Sequence, residues 1–171
     1  MVGRVWFFLF LALFFLFSKA RSTNPQPQEL KSLKIQNTQS ARGCSYVVSI
    51  KTSCSSRSFT RDMVSLAFGD AYGNQIYVPR LDDPDSRTFE RCSTDTYTLS
   101  GTCMYKICYL YLLRRGSDGW KPESVKVYPP NSKAITFKYN MFLPNGVWYG
   151  FNSCNGVSSH INGTGNLISQ M

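Results

Sequence analysis

Apolar and polar side chains alternate from Cys44 to Phe151, and this period of two constrains the fold more than any other feature of the chain. Tyr46, Val48 and Ile50 share one face of a first run, and Val64, Leu66 and Phe68 share one face of a second. Gln75–Val78 is short and ends at Pro79, which cannot donate to a strand ladder. Thr88–Cys92 and Asp95–Leu99 alternate, and Ile107–Leu112 is apolar on both faces, as a central covered strand is. Ser124–Tyr128 stops at Pro129-Pro130, and Ile135–Tyr139 and Gly146–Phe151 complete the series. Gly69-Asp70, Gly73-Asn74, Asp82-Asp83-Pro84, Ser100-Gly101, Asp118-Gly119 and Asn145-Gly146 fall between runs, where turn residues belong. Short, evenly spaced strands without a sustained 3.6-residue period predict an all-β fold, an antiparallel β-sandwich.

The flanking sequence is different in kind. Met1–Arg4 carries positive charge, and Val5–Phe17 is an apolar run of about thirteen residues, the length of a signal-peptide core. A membrane-spanning helix needs about twenty. Residues 1–20 are therefore expected to be a cleaved secretory signal, ending at Ser18-Lys19-Ala20 or one register later, with no transmembrane span in the chain. Residues 21–43, rich in Gln, Asn, Ser, Thr and Pro, are expected to form a flexible leader. Residues 44–154 would be the folded domain, and 155–171 a flexible polar tail with a glycosylation sequon at Asn162.

Secretion puts Cys44, Cys54, Cys92, Cys103, Cys108 and Cys154 in an oxidising compartment, where six thiols predict three disulfides. Fifteen pairings are open. Cys44 opens the first run and Cys154 follows the last, so Cys44–Cys154 is the expected pair if those strands are neighbours. Cys108 is expected inside a central strand, with Cys54 or Cys92 as its mate. Loss of Arg4 and Lys19 with the signal takes the net charge from +9 to +7. Such a balance favours acidic lipids, acidic polysaccharides or acidic proteins as partners, or simply a solvated surface. Nucleic acid is not expected outside the cell.

Several stretches resemble a known family. They are Tyr46-Val47-Val48-Ser49-Ile50, Val64-Ser65-Leu66-Ala67-Phe68-Gly69, Ile107-Cys108-Tyr109-Leu110-Tyr111-Leu112 and Gly116-Ser117-Asp118-Gly119-Trp120 followed by Val125-Lys126-Val127. Their order is similar to the PLAT/LH2 domain, the β-sandwich attached to lipoxygenases and some lipases. The cysteines, with Pro79-Arg80-Leu81-Asp82-Asp83-Pro84, Phe89-Glu90-Arg91-Cys92 and Val147-Trp148-Tyr149-Gly150-Phe151, narrow the resemblance to the plant embryo-specific secreted proteins, a lone PLAT-like domain behind a signal peptide. The resemblance implies an eight-stranded β-sandwich of two four-stranded sheets and an extracellular, non-catalytic binding module with a role in embryo or seed development. Its partner would be an extracellular protein or a cell-wall component. The alternative it implies is a peripheral lipid-binding module, with or without calcium.

The residues themselves favour binding over catalysis. The single histidine, His160, lies in the polar tail, and disulfides would consume the thiols. No catalytic residue and no cofactor are expected. Asp82, Asp83 and Asp85 are candidate calcium ligands, because calcium takes carboxylate oxygens; equally, Asp and Pro are ordinary turn residues. Tyr72, Phe142, Trp148, Arg114 and Arg115 are candidates for a ligand or membrane surface, as aromatics beside cations suit an anionic interface. By alternation Trp148 falls opposite Val147 and Tyr149, which leaves it open to core or surface. Trp120, after a Gly turn and before a strand, is expected to be structural, plugging the gap between sheets with its N–H on a backbone carbonyl.

Overall fold

The computed structural model describes residues 25–35, 43–81 and 87–154. Nine strands and no helix occur among them: β1 (Gln28–Leu30), β2 (Gly43–Thr52), β3 (Met63–Gly69), β4 (Gln75–Val78), β5 (Thr94–Thr102), β6 (Tyr109–Arg115), β7 (Pro122–Tyr128), β8 (Ile135–Lys138) and β9 (Trp148–Asn152). One sheet has the order β1-β9-β6-β3-β4 and the other β5-β2-β7-β8, with every pairing antiparallel. Eight strands thus form the expected sandwich of two four-stranded sheets, and β1 adds a short ninth at one edge. That edge strand comes from the stretch expected to be a flexible leader; Gln28, Glu29 and Leu30 pair with Gly150, Tyr149 and Trp148.

Alternation places the core as expected. Tyr46, Val48, Ile50, Val64, Leu66, Phe68, Leu110, Leu112, Val125 and Val127 are all fully buried between the sheets. A register shift at Lys51/Thr52 lets both Pro122 and Val125 face inward although they are an odd number of positions, three, apart. Burying the Tyr46 and Tyr139 hydroxyls is compatible with folding because both find backbone partners. Tyr46 Oη donates to Thr102 O at 3.0 Å and accepts from the Met104 N–H at 2.8 Å. Tyr139 Oη lies 3.3 Å from Leu110 O and 3.2 Å from Tyr149 O, and its burial raises the phenol pKa well above the ordinary value.

The five-stranded sheet is covered on its outer side as well. Trp148 on β9 aligns with Leu113, which aligns with Ser65, so all three face outward; Ala67 and its partner Tyr77 face the same way. β9 and β4 lie three strands apart, roughly 14 Å at sheet spacing, yet the Trp148 and Tyr77 rings meet edge to face at 6.1 Å. The two rings therefore reach over β6 and β3, which accounts for the burial of Ser65, Ala67 and Leu113.

Two expectations are corrected. Thr88–Cys92 is not a strand: it is a turn in which Phe89 and Cys92 take left-handed backbone conformations (φ 60° and 65°). Alternation there is incidental. Phe89 is fully buried against Trp120 at 4.7 Å between centroids, and its N–H donates to Asp95 Oδ2 at 3.0 Å. The disulfides are Cys44–Cys103, Cys54–Cys92 and Cys108–Cys154, with Cα separations of 4.9, 4.4 and 5.0 Å. Cys44–Cys154 does not form because β2 and β9 belong to different sheets. Cys108 is buried as expected but sits one residue before β6, and its N–H donates to Gly69 O at 2.9 Å. Its mate is Cys154, not Cys54 or Cys92, because Ser153 folds back onto Cys108 O at 2.8 Å.

Candidate binding surfaces

The strand directions give the sandwich two loop-bearing ends. β2 starts beside the end of β5 and finishes beside its start, while β3 finishes beside the start of β6. The turns 69–75 and 102–109 thus share one end with Cys44–Cys103 and Cys108–Cys154. The loops 53–62, 90–93, 116–121 and 139–147 share the other, with Cys54–Cys92.

At the first end a buried carboxylate organises two turns. Asp70 Oδ1 accepts the N–H groups of Tyr72 at 2.9 Å and Asn74 at 3.0 Å. Its Oδ2 accepts from Asn74 Nδ2 at 2.8 Å and from the Tyr105 N–H at 3.1 Å, a residue 35 positions away. A side chain at Gly69 would collide with the Tyr109 hydroxyl, which accepts from Gln75 Nε2 at 2.9 Å. This framework holds Tyr72 and Tyr105 edge to face at 6.2 Å while leaving them 75% and 85% exposed. Among the described residues nothing covers these rings from outside, and the loops under them are fixed by hydrogen bonds and a disulfide.

At the other end the buried pair is ionic. Arg114 Nη1 donates to Asp62 Oδ2 and, at 2.9 Å, to Gly116 O; Arg114 Nε donates to Leu143 O at 3.1 Å. Asp62 also accepts the N–H groups of Asp118 and Gly119, each at 3.0 Å. Burial alone would raise the Asp62 pKa, but those two N–H groups and the Arg114 guanidinium outweigh it and hold the carboxyl below its ordinary value. Asp118 in turn accepts the Arg61 N–H at 2.8 Å. Three loops are tied by this network, and Gly116, at φ 150°, leaves the room its carboxylate needs. Trp120 completes the end: it is fully buried, and its Nε1–H donates at 3.0 Å to the Thr52 hydroxyl rather than to a backbone carbonyl.

The sequence candidates therefore separate. Tyr72 is exposed at one end; Phe142 and Arg115 are exposed at the other. Trp148 lies on an outer sheet face. Arg114 is corrected: it is 6% exposed and consumed by Asp62, so it cannot meet a ligand. Asp82, Asp83, Asp85, Asn162 and His160 lie outside the described residues, as do the signal and the tail. Among the described residues no group of three potential metal ligands occurs, and no helix is long and apolar enough to cross a membrane. Tyr105 and Asp62 were not singled out in the sequence, and Asp70 was marked only as part of the Gly69-Asp70 turn. A cavity of about 410 Å³ opens between β8 and the β1–β9 edge, floored by Phe137 and Phe151.

The chain has known relatives. Among Arabidopsis thaliana proteins, Embryo-specific protein ATS3A is 60% identical over 158 residues, covering 89% of this chain and 87% of the relative. Embryo-specific protein ATS3B is 61% identical over 115 residues, covering 67% and 60%. Among solved structures, a coral 8R-lipoxygenase described as activated by calcium through a C2-like domain matches with TM-score 0.54 and 19% identity, over 63% of this chain and 17% of that one. The alpha toxin of Clostridium absonum matches with TM-score 0.53 and 25% identity, over 63% and 31%. The chain thus spans about a sixth to a third of these structures, which share its sandwich fold. The family model described as Embryo-specific protein 3 (ATS3) matches residues 30–154, which hold β2–β9 and all three disulfides, and the chain belongs to that family.

Proposed function

We propose that the chain is a secreted, non-catalytic module of the PLAT/LH2 type that binds an extracellular protein or wall partner and serves embryo or seed development. The observation that carries this is the Tyr72–Tyr105 pair, exposed yet fixed from beneath by Asp70. Large rings that are ordered before contact lose little entropy on binding, and tyrosines of this kind dominate interface energetics. Three disulfides fit an oxidising, extracellular setting. The developmental role is carried over from the names of the relatives.

The test is affinity capture from seed extracellular fluid with the disulfide-intact chain beside a Tyr72→Ala/Tyr105→Ala double variant. A component retained by the first and lost by the second is the expected result; equal retention of every component would reject this surface. A second reading, a peripheral lipid module, is favoured by the projection of the same two rings. Sedimentation with anionic vesicles, with and without calcium chelator, separates the two: pelleting that the double variant abolishes would replace a protein or wall partner by a lipid one.

A further inference from the structure

We infer that the Cys54–Cys92 end is a second binding site, built for an extended acidic polysaccharide whose sugar rings carry carboxylates. This deepens the binding-module reading but uses other residues than its aromatic pair.

Arg57, Arg61, Arg91 and Arg115 are exposed at this end, and Lys121 is half-exposed. Their loops form one surface. The Arg91 N–H donates to Ser58 O at 3.0 Å, and the Lys121 N–H donates to Ser56 Oγ at 3.0 Å. Lys121 Nζ reaches Ser55 Oγ at 2.8 Å, and Cys54–Cys92 joins the first two loops. Most carboxylates nearby are already engaged. Asp62 is buried on Arg114, Asp118 accepts from Arg61, Asp95 accepts from Phe89, and Glu123 pairs with Lys51 at 2.8 Å. Among the described residues of this end, Glu90 is the acid left without such a bond. The acids hold the loops in shape, and the four guanidiniums face outward without a carboxylate partner among the described residues.

The chemistry favours a carboxylated sugar chain over a lipid surface. Four of the five cations are arginines, whose planar fork binds a carboxylate through two parallel hydrogen bonds. Phe59 lies beneath the Arg61 guanidinium, 5.2 Å from ring centroid to Cζ, and is 47% exposed. Phe142, near Gly119, is 48% exposed. These rings are half covered, and Phe59 offers an apolar face beside a positive charge. A uronate residue presents the complement, an apolar C–H face and a carboxylate on one ring. Entry into a bilayer asks instead for rings that project, and the projecting pair stands at the opposite end, separated by β2, about 30 Å of extended chain.

The experiment is affinity electrophoresis of the full disulfide-bonded chain in gels containing polygalacturonate, its methyl ester or a neutral glucan. Retardation by polygalacturonate alone, weakened by salt, is expected. Arg57→Gln/Arg91→Gln should raise the dissociation constant at least about tenfold, and Phe59→Ala should weaken it further. Tyr72→Ala/Tyr105→Ala should leave it unchanged, so that failure of the aromatic surface and failure of this site are read separately. Both arginines are exposed, and an unchanged near-ultraviolet circular dichroism spectrum would certify the variants as folded. The inference would be overturned by no retardation by polygalacturonate, equal retardation by the ester, or an arginine variant that binds like the parent. Binding to phosphatidylserine vesicles that the arginine variant loses, without polygalacturonate binding, would assign the patch to membranes and overturn it as well.

Discussion

Asp62 is the residue on which the loops of one end depend, because it gathers two backbone N–H groups and a guanidinium into one buried site. Asp62→Asn leaves Arg114 charged and buried without its partner, and should destabilise the fold by about 3–5 kcal/mol, measured by urea unfolding. The double variant Asp62→Asn/Arg114→Met should lose less than the sum of the two single changes. The pH dependence has a defined sign. The folded carboxyl titrates below its unfolded value of about 3.9, so its contribution is complete above that pH and disappears as pH falls through the folded value. The stability gap between the parent and Asp62→Asn should therefore narrow in acid. Trp120 was legible in the sequence as a structural ring because a Gly turn and a strand bracket it. Arg114 was not, since adjacent arginines at a strand end both read as cations open to an anionic ligand or membrane surface. Only the fold reveals that Arg114 is turned inward and Arg115 outward, with Asp62 arriving from 52 positions away.

Strands were legible where alternation met turn chemistry, because a half-buried sheet face imposes a period of two on the chain. Thr88–Cys92 shows how that signal fails. Its alternation has no neighbouring strand, and Phe89 is buried through a left-handed turn instead. β1 went unread for the opposite reason: three polar-flanked residues carry no period, and their place is set by the free edge of β9. The disulfides were illegible because pairing depends on which strands share a sheet, which spacing does not encode. Deleting the residues through Leu30 should strip that edge and one wall of the β8–β9 cavity. A loss of about 1–2 kcal/mol is expected from the few hydrogen bonds involved, seen as a lower urea midpoint with unchanged secondary structure by circular dichroism.

Over the whole molecule, covalent links join the loops at both ends of an already complete core. Cys44–Cys103, Cys108–Cys154 and Cys54–Cys92 close sequence spans of 59, 46 and 38 residues, each stabilising by about 2–5 kcal/mol. Reduction should lower the thermal midpoint by more than ten degrees, on the order expected for several kcal/mol in a domain of this size. It should also abolish the fixed posture of Arg91 and Tyr105, which flank bridged cysteines, before it unpairs the central strands. Amide exchange on the reduced protein would check this order: early labelling of residues 90–93 and 102–106 with β2, β3 and β6 still protected.

β2 runs from one end of the sandwich to the other, so a partner at Tyr72 and Tyr105 would face away from one at Arg57 and Arg91. If both proposed surfaces are occupied, such a body would act as a rivet that sets the spacing between two partners, and with either head blunted it would only decorate one of them.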